Sequence, residues 1–440
     1  MFCFECLDTV LFVSLNLMKE DFLHHVWKFS KFNTTNLETT DGASLSIVQV
    51  GQHNLNAGPD FFNGQVRVND QLWAGNIEIH IKSSDWYAHN HETDTAYDNV
   101  ILHVVWEHDV DVFTTSGTPL PTLVLKGRVM KQTLDAYYQL FGSKEQWINC
   151  ESSFANVDHF TISNWIERLF IERIESKNGM LLGLLSNSKN DWEALLFVLL
   201  CKNFGLKVNG ASFLSLGQSI DFSVARKCAA SNKSLEALLF GQAGFFLLEN
   251  EDAYFLTLKE EYLFLQAKFQ LDNSAVISPK YFRLRPPNFP TVRLSQLASL
   301  YVKQKELFTM VISATSLDDY YAIFDVAASE YWDTHYNFGV ASTKRKKKLT
   351  KAFIHLLLIN TVLPLKYCYA KYQGKDISET LFELAATIPA ESNSIIKKFN
   401  SLKNVVTSAL DSQGLLQLKN EYCDKNKCFH CAVGNSLLGK

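Results

Sequence analysis

Asp60, Glu78, His80 and Lys82 are the residues whose types and spacing suggest chemistry. In Ile77-Glu-Ile-His-Ile-Lys82 the isoleucines alternate with a carboxylate, an imidazole and an amine. Period-two alternation puts the polar side chains on one face of a strand. Upstream, Gly58-Pro-Asp60 leads into the run Phe61–Val68. A hairpin turn centred on Asp70 places Asp60 opposite His80 and Phe62 opposite Glu78, so that Asp60, Glu78 and His80 share a face. A turn displaced by one residue, or a bulge at Gly75, breaks that parity. Two carboxylates so placed suit Mg²⁺ or Mn²⁺, which keep several waters. Such an ion readies a water for in-line attack on phosphorus and stabilises the leaving oxygen. Lys82 or His80 would then orient the water or offset developing charge.

Asp85-Trp-Tyr-Ala-His-Asn-His91 follows at once, and His89 and His91 suit zinc or an acid–base pair. The same alternation also fits a solvated sheet face. What favours a site is that Gly-Pro-Asp, Glu-x-His and His-x-His fall within 34 residues. His103 has apolar neighbours on both sides, which predicts a hydrogen-bonded core residue. His24 and His25 read as surface or packing residues of the first helix, and Glu20 as a candidate further carboxylate.

Pro59-Asp60 followed by Glu78-Ile79-His80 resembles the PD-(D/E)XK nuclease superfamily, in which a Pro-Asp precedes one strand and an acid-x-Lys lies on the next. The departure is His80 where Lys is usual, with Lys82 as a substitute on the same face. The likeness covers about residues 40–130. It implies a restriction-endonuclease-like sheet, a divalent cation and a nucleic-acid substrate. Asp85-Trp86 with His89 and His91 is similar to very-short-patch mismatch endonucleases of that superfamily, without their cysteines.

Cys423-x4-Cys428-x2-Cys431 is the second cluster. A Cys-x2-Cys pair grips one metal from a tight turn. Zinc or an iron–sulfur cluster needs a fourth ligand, for which His430, Cys150 and Cys368 are candidates. Free thiols in a tail are the alternative. The run Lys344-Arg345-Lys346-Lys347-Lys348 could bind phosphates or form a solvated helix start. Arg283, Arg285 and Arg293 around a Pro-rich joint read either as polyanion contacts or as ion-pair partners.

These residues need elements to hold them. Short β-branched or aromatic runs at Ser46–Val50, Phe62–Val68, Leu72–Ile81, Val100–Trp106 and Pro121–Leu125 predict strands. Glu20–Phe29, Thr93–Asn99 and Lys131–Phe141 carry the helical signal there. Beyond residue 155 the apolar period becomes helical. Ser163 is the expected cap of a helix over Asn164–Lys177, and further helices are predicted at Asp191–Phe204, Leu235–Phe240, Glu251–Gln270, Leu294–Phe308, Lys344–Asn360, Ile377–Thr387 and Gln413–Tyr422. The fold class is therefore α+β: a mixed-sheet module over 18–150 and a mostly helical region over 151–440. Met1–Leu17 contains Glu5 and Asp8, lacks a basic start, and reads as a start-site extension rather than a secretory signal.

The 440 residues carry a net charge of −4, which excludes a globally basic coat for nucleic acid. The charge is uneven. Residues 18–130 have seven basic and fourteen acidic side chains, a net −7, whereas 155–440 have 33 and 27, a net +6. Nine cysteines in a long chain suggest free thiols and one metal site in a cytoplasmic protein. The apolar runs Ala194–Cys201 and Ala352–Leu365 look too short for a bilayer, so no membrane association is expected. End to end, the chain resembles the bacterial domain-of-unknown-function family 2851. Asn56–Phe61, Gly75–His80, Ser84–Trp86 with His89 and His91, Tyr97–Val104, Arg283–Leu294 and the terminal cysteines carry this likeness over about residues 19–434.

Three functions fit these features. They are a Mg²⁺- or Mn²⁺-dependent nuclease using Asp60 and Glu78 with His80 or Lys82, a non-catalytic nucleic-acid- or protein-binding module with a structural metal, and a zinc hydrolase built on His80, His89 and His91.

Overall fold

A computed structural model describes residues 18–54, 56–142, 146–247 and 249–439. The candidate start-site extension lies outside the described residues. The chain divides into two compact units. One runs to Trp165 and includes the segment from Lys419 onward; the other is Ile166–Leu418. The terminal segment that composition assigns to the helical region thus belongs to the sheet unit. The reason is packing: Phe429, Leu437 and Leu438 join the same apolar cluster as the sheet.

The sheet unit begins with α1 (Glu20–Lys28), followed by β1 (Leu37–Glu38), β2 (Ser44–Gln49), β3 (Gln52–His53), β4 (Phe61–Val68) and β5 (Gln71–Lys82). After β5 come a one-turn helix α2 (Asp85–Ala88) and two 3₁₀ turns, His91–Thr93 and Thr95–Tyr97, where the sequence suggests a helix over Thr93–Asn99. Then come β6 (Val100–Glu107), β7 (Thr122–Val124) and α3 (Lys131–Phe141). The sheet order is β1-β2-β4-β5-β6-β7, with β3 beside β4. Strands β2, β4 and β5 are antiparallel neighbours, whereas β6 runs parallel to β5, and β7 to β6. The parallel step requires a crossover, and the α2 segment supplies it.

One sheet face is apolar. Ile77 and Ile79 of β5 and Leu102 and Val104 of β6 pack with Phe22, Leu23, Val26 and Trp27 of α1. Those four α1 residues recur at helical spacing, which gives the helix one buried stripe. Trp27 fixes its position by donating from Nε1 to the Val50 carbonyl at 2.9 Å.

The hairpin register differs from the one centred on Asp70. The turn is Asn69-Asp70, with Val68 opposite Gln71 and Gly64 opposite Gly75. Asn69 takes φ 51°, as asparagine tolerates in tight turns. This shift alone would turn Asp60 away from Glu78. A bulge between Phe61 and Gly64 restores the parity, with Asn63 at φ 58° and Phe61 opposite Ile77. Asp60 is thereby delivered beside Glu78 rather than His80.

Gly75 sits where β5 turns from its antiparallel to its parallel partner. A Cβ there would lie 2.5 Å from the Asn99 carbonyl oxygen and 2.5 Å from Ile101 Cγ2. Gly75→Ala is expected to cost about 1–3 kcal/mol. Urea unfolding checks this, and an unchanged midpoint would contradict it.

The second unit is helical. Asp191 caps Trp192–Phe204 by accepting from the Glu193 and Ala194 N–H groups, and Asp252 caps Ala253–Phe269. Ser163 is no cap: it lies inside a helix over His159–Glu175, its hydroxyl 3.1 Å from His159 Nδ1. The basic run is extended rather than helical, and its helix starts only at Lys351. Backbone bonds from Ala328 to Lys347 and from Leu349 to Val326 hold it straight.

A continuous helical stretch covers Lys351–Tyr372. It is long and apolar enough to cross a membrane, although 72% of its apolar window is buried inside the protein. The sequence reads shorter because Pro364 signals a break. A π turn at Leu358–Val362 absorbs the proline. The Asn203 amide donates to Thr361 Oγ1 at 2.7 Å and to the Asn360 carbonyl that Pro364 cannot engage.

Candidate metal centre

The face of β5 and β6 opposite α1 carries Glu78, His80 and His103, and Trp86 of α2 covers it, 5.5 Å from the His103 ring. Glu78, His80 and His103 are 4%, 1% and 0% exposed, so this is not a solvated sheet face. Glu78 and His103 are partners across the parallel ladder. Gly58, at φ 99°, lets the preceding loop turn into β4. The Asn54 side-chain amide ties down the Ala57 and Pro59 carbonyls. Together they aim Asp60 at the end of β5.

The contacts form a chain. Asp60 Oδ2 accepts the Ile79 N–H at 2.9 Å and lies 3.2 Å from His24 Nε2. The Asp60 N–H donates to Glu78 Oε2 at 3.1 Å. The other Glu78 oxygen is 3.3 Å from His91 Nε2 and 3.6 Å from His80 Nε2. His80 Nε2 is also 3.1 Å from His89 Nδ1, and its Nδ1 meets His103 Nε2 at 2.8 Å. The bond to His103 orients the His80 ring. With the proton on His80 Nδ1, the Nε2 lone pair faces Glu78, His89 and His91, as a metal ligand requires.

Two groups of donor atoms result, each mutually within 4.8 Å: His80, His89 and His91, and Glu20, His24 and Asp60. Glu78 lies between them through its contacts to His80, His91 and Asp60. The first group is nitrogen-rich and the second oxygen-rich. Together they offer a mixed donor set for a divalent cation. His89 is exposed and His91 buried, so the cluster opens to solvent on the His89 side. Tyr97 closes the rear by stacking on His91 at 3.7 Å.

The electrostatics are those of acids and bases crowded without a counter-charge. Burial, then the charge of Asp60, pushes the Glu78 carboxyl up to about 8. The same causes raise Glu20 to about 7. Burial, then His91 and His89, lowers His80 to about 3. Burial holds His103 well below the usual imidazole range. His24 goes the other way: burial opposes its charge, but the hydrogen bond and the charge of Asp60 raise it overall. A cation among these groups would reverse the penalty on the carboxylates and use the neutral imidazoles as ligands.

Asp60, Glu78, His80, His89 and His91 are thus brought together. Lys82 is not: it is exposed at the end of β5, where its charge faces Asp109. The strand leaves the covered part of the face before Lys82, which leaves the side chain exposed. His25 packs against Phe29 and Phe429. His24, which sequence reads only as a surface or packing residue, lies against Asp60. Its signal is the i, i+4 spacing from Glu20, which puts both on one side of α1.

In the helical unit Lys344, Arg345 and Lys346 are exposed, whereas Lys347 is buried with its ammonium on the Trp332 and Asp333 carbonyls. Lys348 pairs with Asp325 at 3.2 Å. Arg283 and Arg285 are exposed. Arg293 is buried over the Phe353 ring and donates to Gln296 and Asn288.

The fold and this cluster define an α+β protein with a buried histidine–carboxylate centre on a mixed sheet. The chain belongs to the family described as Protein of unknown function (DUF2851), whose profile matches residues 20–394. That span contains every residue of the cluster. Neither the curated proteins nor the solved structures contain a match.

Proposed function

We propose that the sheet unit is a divalent-metal-dependent hydrolase acting on phosphodiesters, a nuclease or nuclease-like enzyme. The observation that carries this reading is the convergence of Asp60, at the start of β4, and Glu78 and His80, on β5, with His24 of α1. The reading also rests on the order of elements: an antiparallel pair that brings both acids together, then a short helix and a parallel buried strand. A metal held there would lower the pKa of a bound water and screen the charge on phosphorus. His80, kept neutral by burial, would hold the metal through Nε2, and His24 could steady a developing negative charge.

A second reading has its own support. His80, His89 and His91 lie within 4.8 Å of one another beside Glu78, a donor set that suits zinc. The zinc hydrolase is therefore the alternative, with small phosphate or ester substrates.

Purified full-length protein with Mg²⁺, Mn²⁺ or Zn²⁺ should be offered single-stranded, double-stranded and branched DNA and RNA, and a chromogenic phosphodiester. The expected result is Mg²⁺- or Mn²⁺-dependent cleavage of nucleic acid that Asp60→Asn abolishes. Turnover of the small ester alone, in zinc, would favour the alternative. Binding of nucleic acid without turnover in any of these metals would contradict both and leave the binding module.

A further inference from the structure

The terminal cysteines do not stand alone. Cys150 follows the sheet module, 273 positions before Cys423, yet it lies with Cys423, Cys428 and Cys431 in the same unit. Asn149, beside Cys150, donates to Asn426 at 3.2 Å in the turn between Cys423 and Cys428, which brings Cys150 to the terminal trio, and each of the four thiols feels the charge of the others. None is in a disulfide. Cys368, another candidate fourth ligand, lies in the helical unit, buried in the stretch Lys351–Tyr372.

The surroundings are those of a sulfur-lined cradle. Asn149 donates from Nδ2 to Cys428 Sγ at 3.4 Å. The Val433 and Gly434 N–H groups and the Trp165 indole serve Cys431. Burial pushes all four thiols up, and Lys19 beside Cys428 and Lys419 beside Cys423 offset this only in part, so a bound cation would have to supply the charge that holds four thiolates. A Cβ on Gly434 would lie 2.1 Å from the Cys428 carbonyl oxygen, so only glycine lets the final helix, Ala432–Leu438, close over the cysteine turn.

We propose that Cys150, Cys423, Cys428 and Cys431 form a four-thiolate metal centre, and that it holds an iron–sulfur cluster. Four thiolates are the usual ligand set of such clusters. The spacing favours the cluster over a single ion. Zinc, with Zn–S near 2.3 Å, would draw tetrahedral sulfurs to roughly 3.8 Å of one another. Among the described residues, the donor groups mutually within 4.8 Å contain no cysteine, so no three of these sulfurs all lie within 4.8 Å of one another. The centre braces the sheet unit. Phe429, between Cys428 and Cys431, packs on Phe22 and His25 of α1 and on Tyr137 and Phe141 of α3. The centre thus steadies the helix that bears Glu20 and His24.

The test is metal and acid-labile sulfide analysis of full-length protein purified without oxygen, with its visible absorption spectrum. Wild type is expected to contain iron and sulfide in equal amounts and to absorb near the visible blue. Cys150→Ser should reduce both to background, whereas Cys228→Ala, in the helical unit, should keep them. Circular dichroism of each variant separates loss of the centre from failure to fold. Zinc without iron or sulfide would overturn the cluster assignment. Wild-type protein free of both metals after reconstitution with iron and sulfide, or a folded Cys150→Ser that retains full iron, would overturn the four-thiolate centre.

Discussion

Glu78→Gln is expected to lower affinity for Mn²⁺ or Zn²⁺ by at least about 100-fold, the upper end of what even an outer-shell partner contributes. Glu78 is the common member of the cluster. One oxygen faces His80 and His91, and the other accepts the Asp60 N–H. The amide keeps the volume and one acceptor but removes the charge. Its second expected effect has the opposite sign. Without metal, the wild-type carboxylate is buried beside Asp60, which raises its pKa to about 8. At pH 8 the metal-free variant should therefore melt above metal-free wild type, because it no longer carries that ionisation penalty. Calorimetric metal titration and thermal melting check the two effects on one preparation. Lys82→Ala, outside the cluster, should change neither. A Glu78→Gln protein that binds metal like wild type would remove Glu78 from the centre.

Metal-free protein is expected to lose stability as pH rises from about 7.5 to 8.5, and added metal should reverse the loss most strongly at the upper end. Glu20 and Glu78 have folded pKa values of about 7 and about 8, both above the ordinary 4.5. A carboxyl raised in this way binds its proton more tightly when folded, so stability falls as pH climbs from the unfolded pKa through the folded one. His24 is raised above 6.5, and its contribution is also lost as pH rises through its folded pKa. His80, lowered to about 3, acts in a different window: its penalty grows as pH falls below 6.5. At pH 6.5 it is still half-protonated when unfolded, as are His25, His53, His91 and His103, all likewise lowered in the folded state. Their opposing change is complete by about pH 7.5, so the fall beyond it reports Glu78, with what remains of Glu20 and His24. A melting temperature of metal-free protein that is flat from about pH 7.5 to 8.5 would contradict the buried pair of acids.

The strands and the site were largely legible because period-two alternation in Ile77–Lys82 fixes which side chains share a face. The sequence could not place Asp60 opposite the right partner. Two compensating irregularities, the Asn69-Asp70 turn and the Asn63 bulge, each shift the register by one residue, and neither leaves a periodic trace. His24 was missed because its role depends on Asp60, far away in the chain. His103 was readable as buried from its apolar neighbours, but its bond to His80 was not, since a parallel crossover brings those strands together. In the helical unit, Leu206–Ser219 and Ser394–Leu402 went unmarked. The first is short of charge on any face, and the second is a short helix whose signal rests on few residues. The basic run looked helical by propensity, yet backbone bonds to Val326 and Ala328 and burial of Lys347 keep it extended. Tertiary context overrides propensity there.

The most direct measurement is anomalous diffraction from crystals of the full-length protein grown with Mn²⁺ or Zn²⁺. A peak is expected among Asp60, Glu78, His80 and His91, at about 2.0–2.2 Å from the donor atoms, and it should vanish in Glu78→Gln. Crystals at saturating metal that show no peak in this cluster would contradict the assignment of a metal centre to these residues.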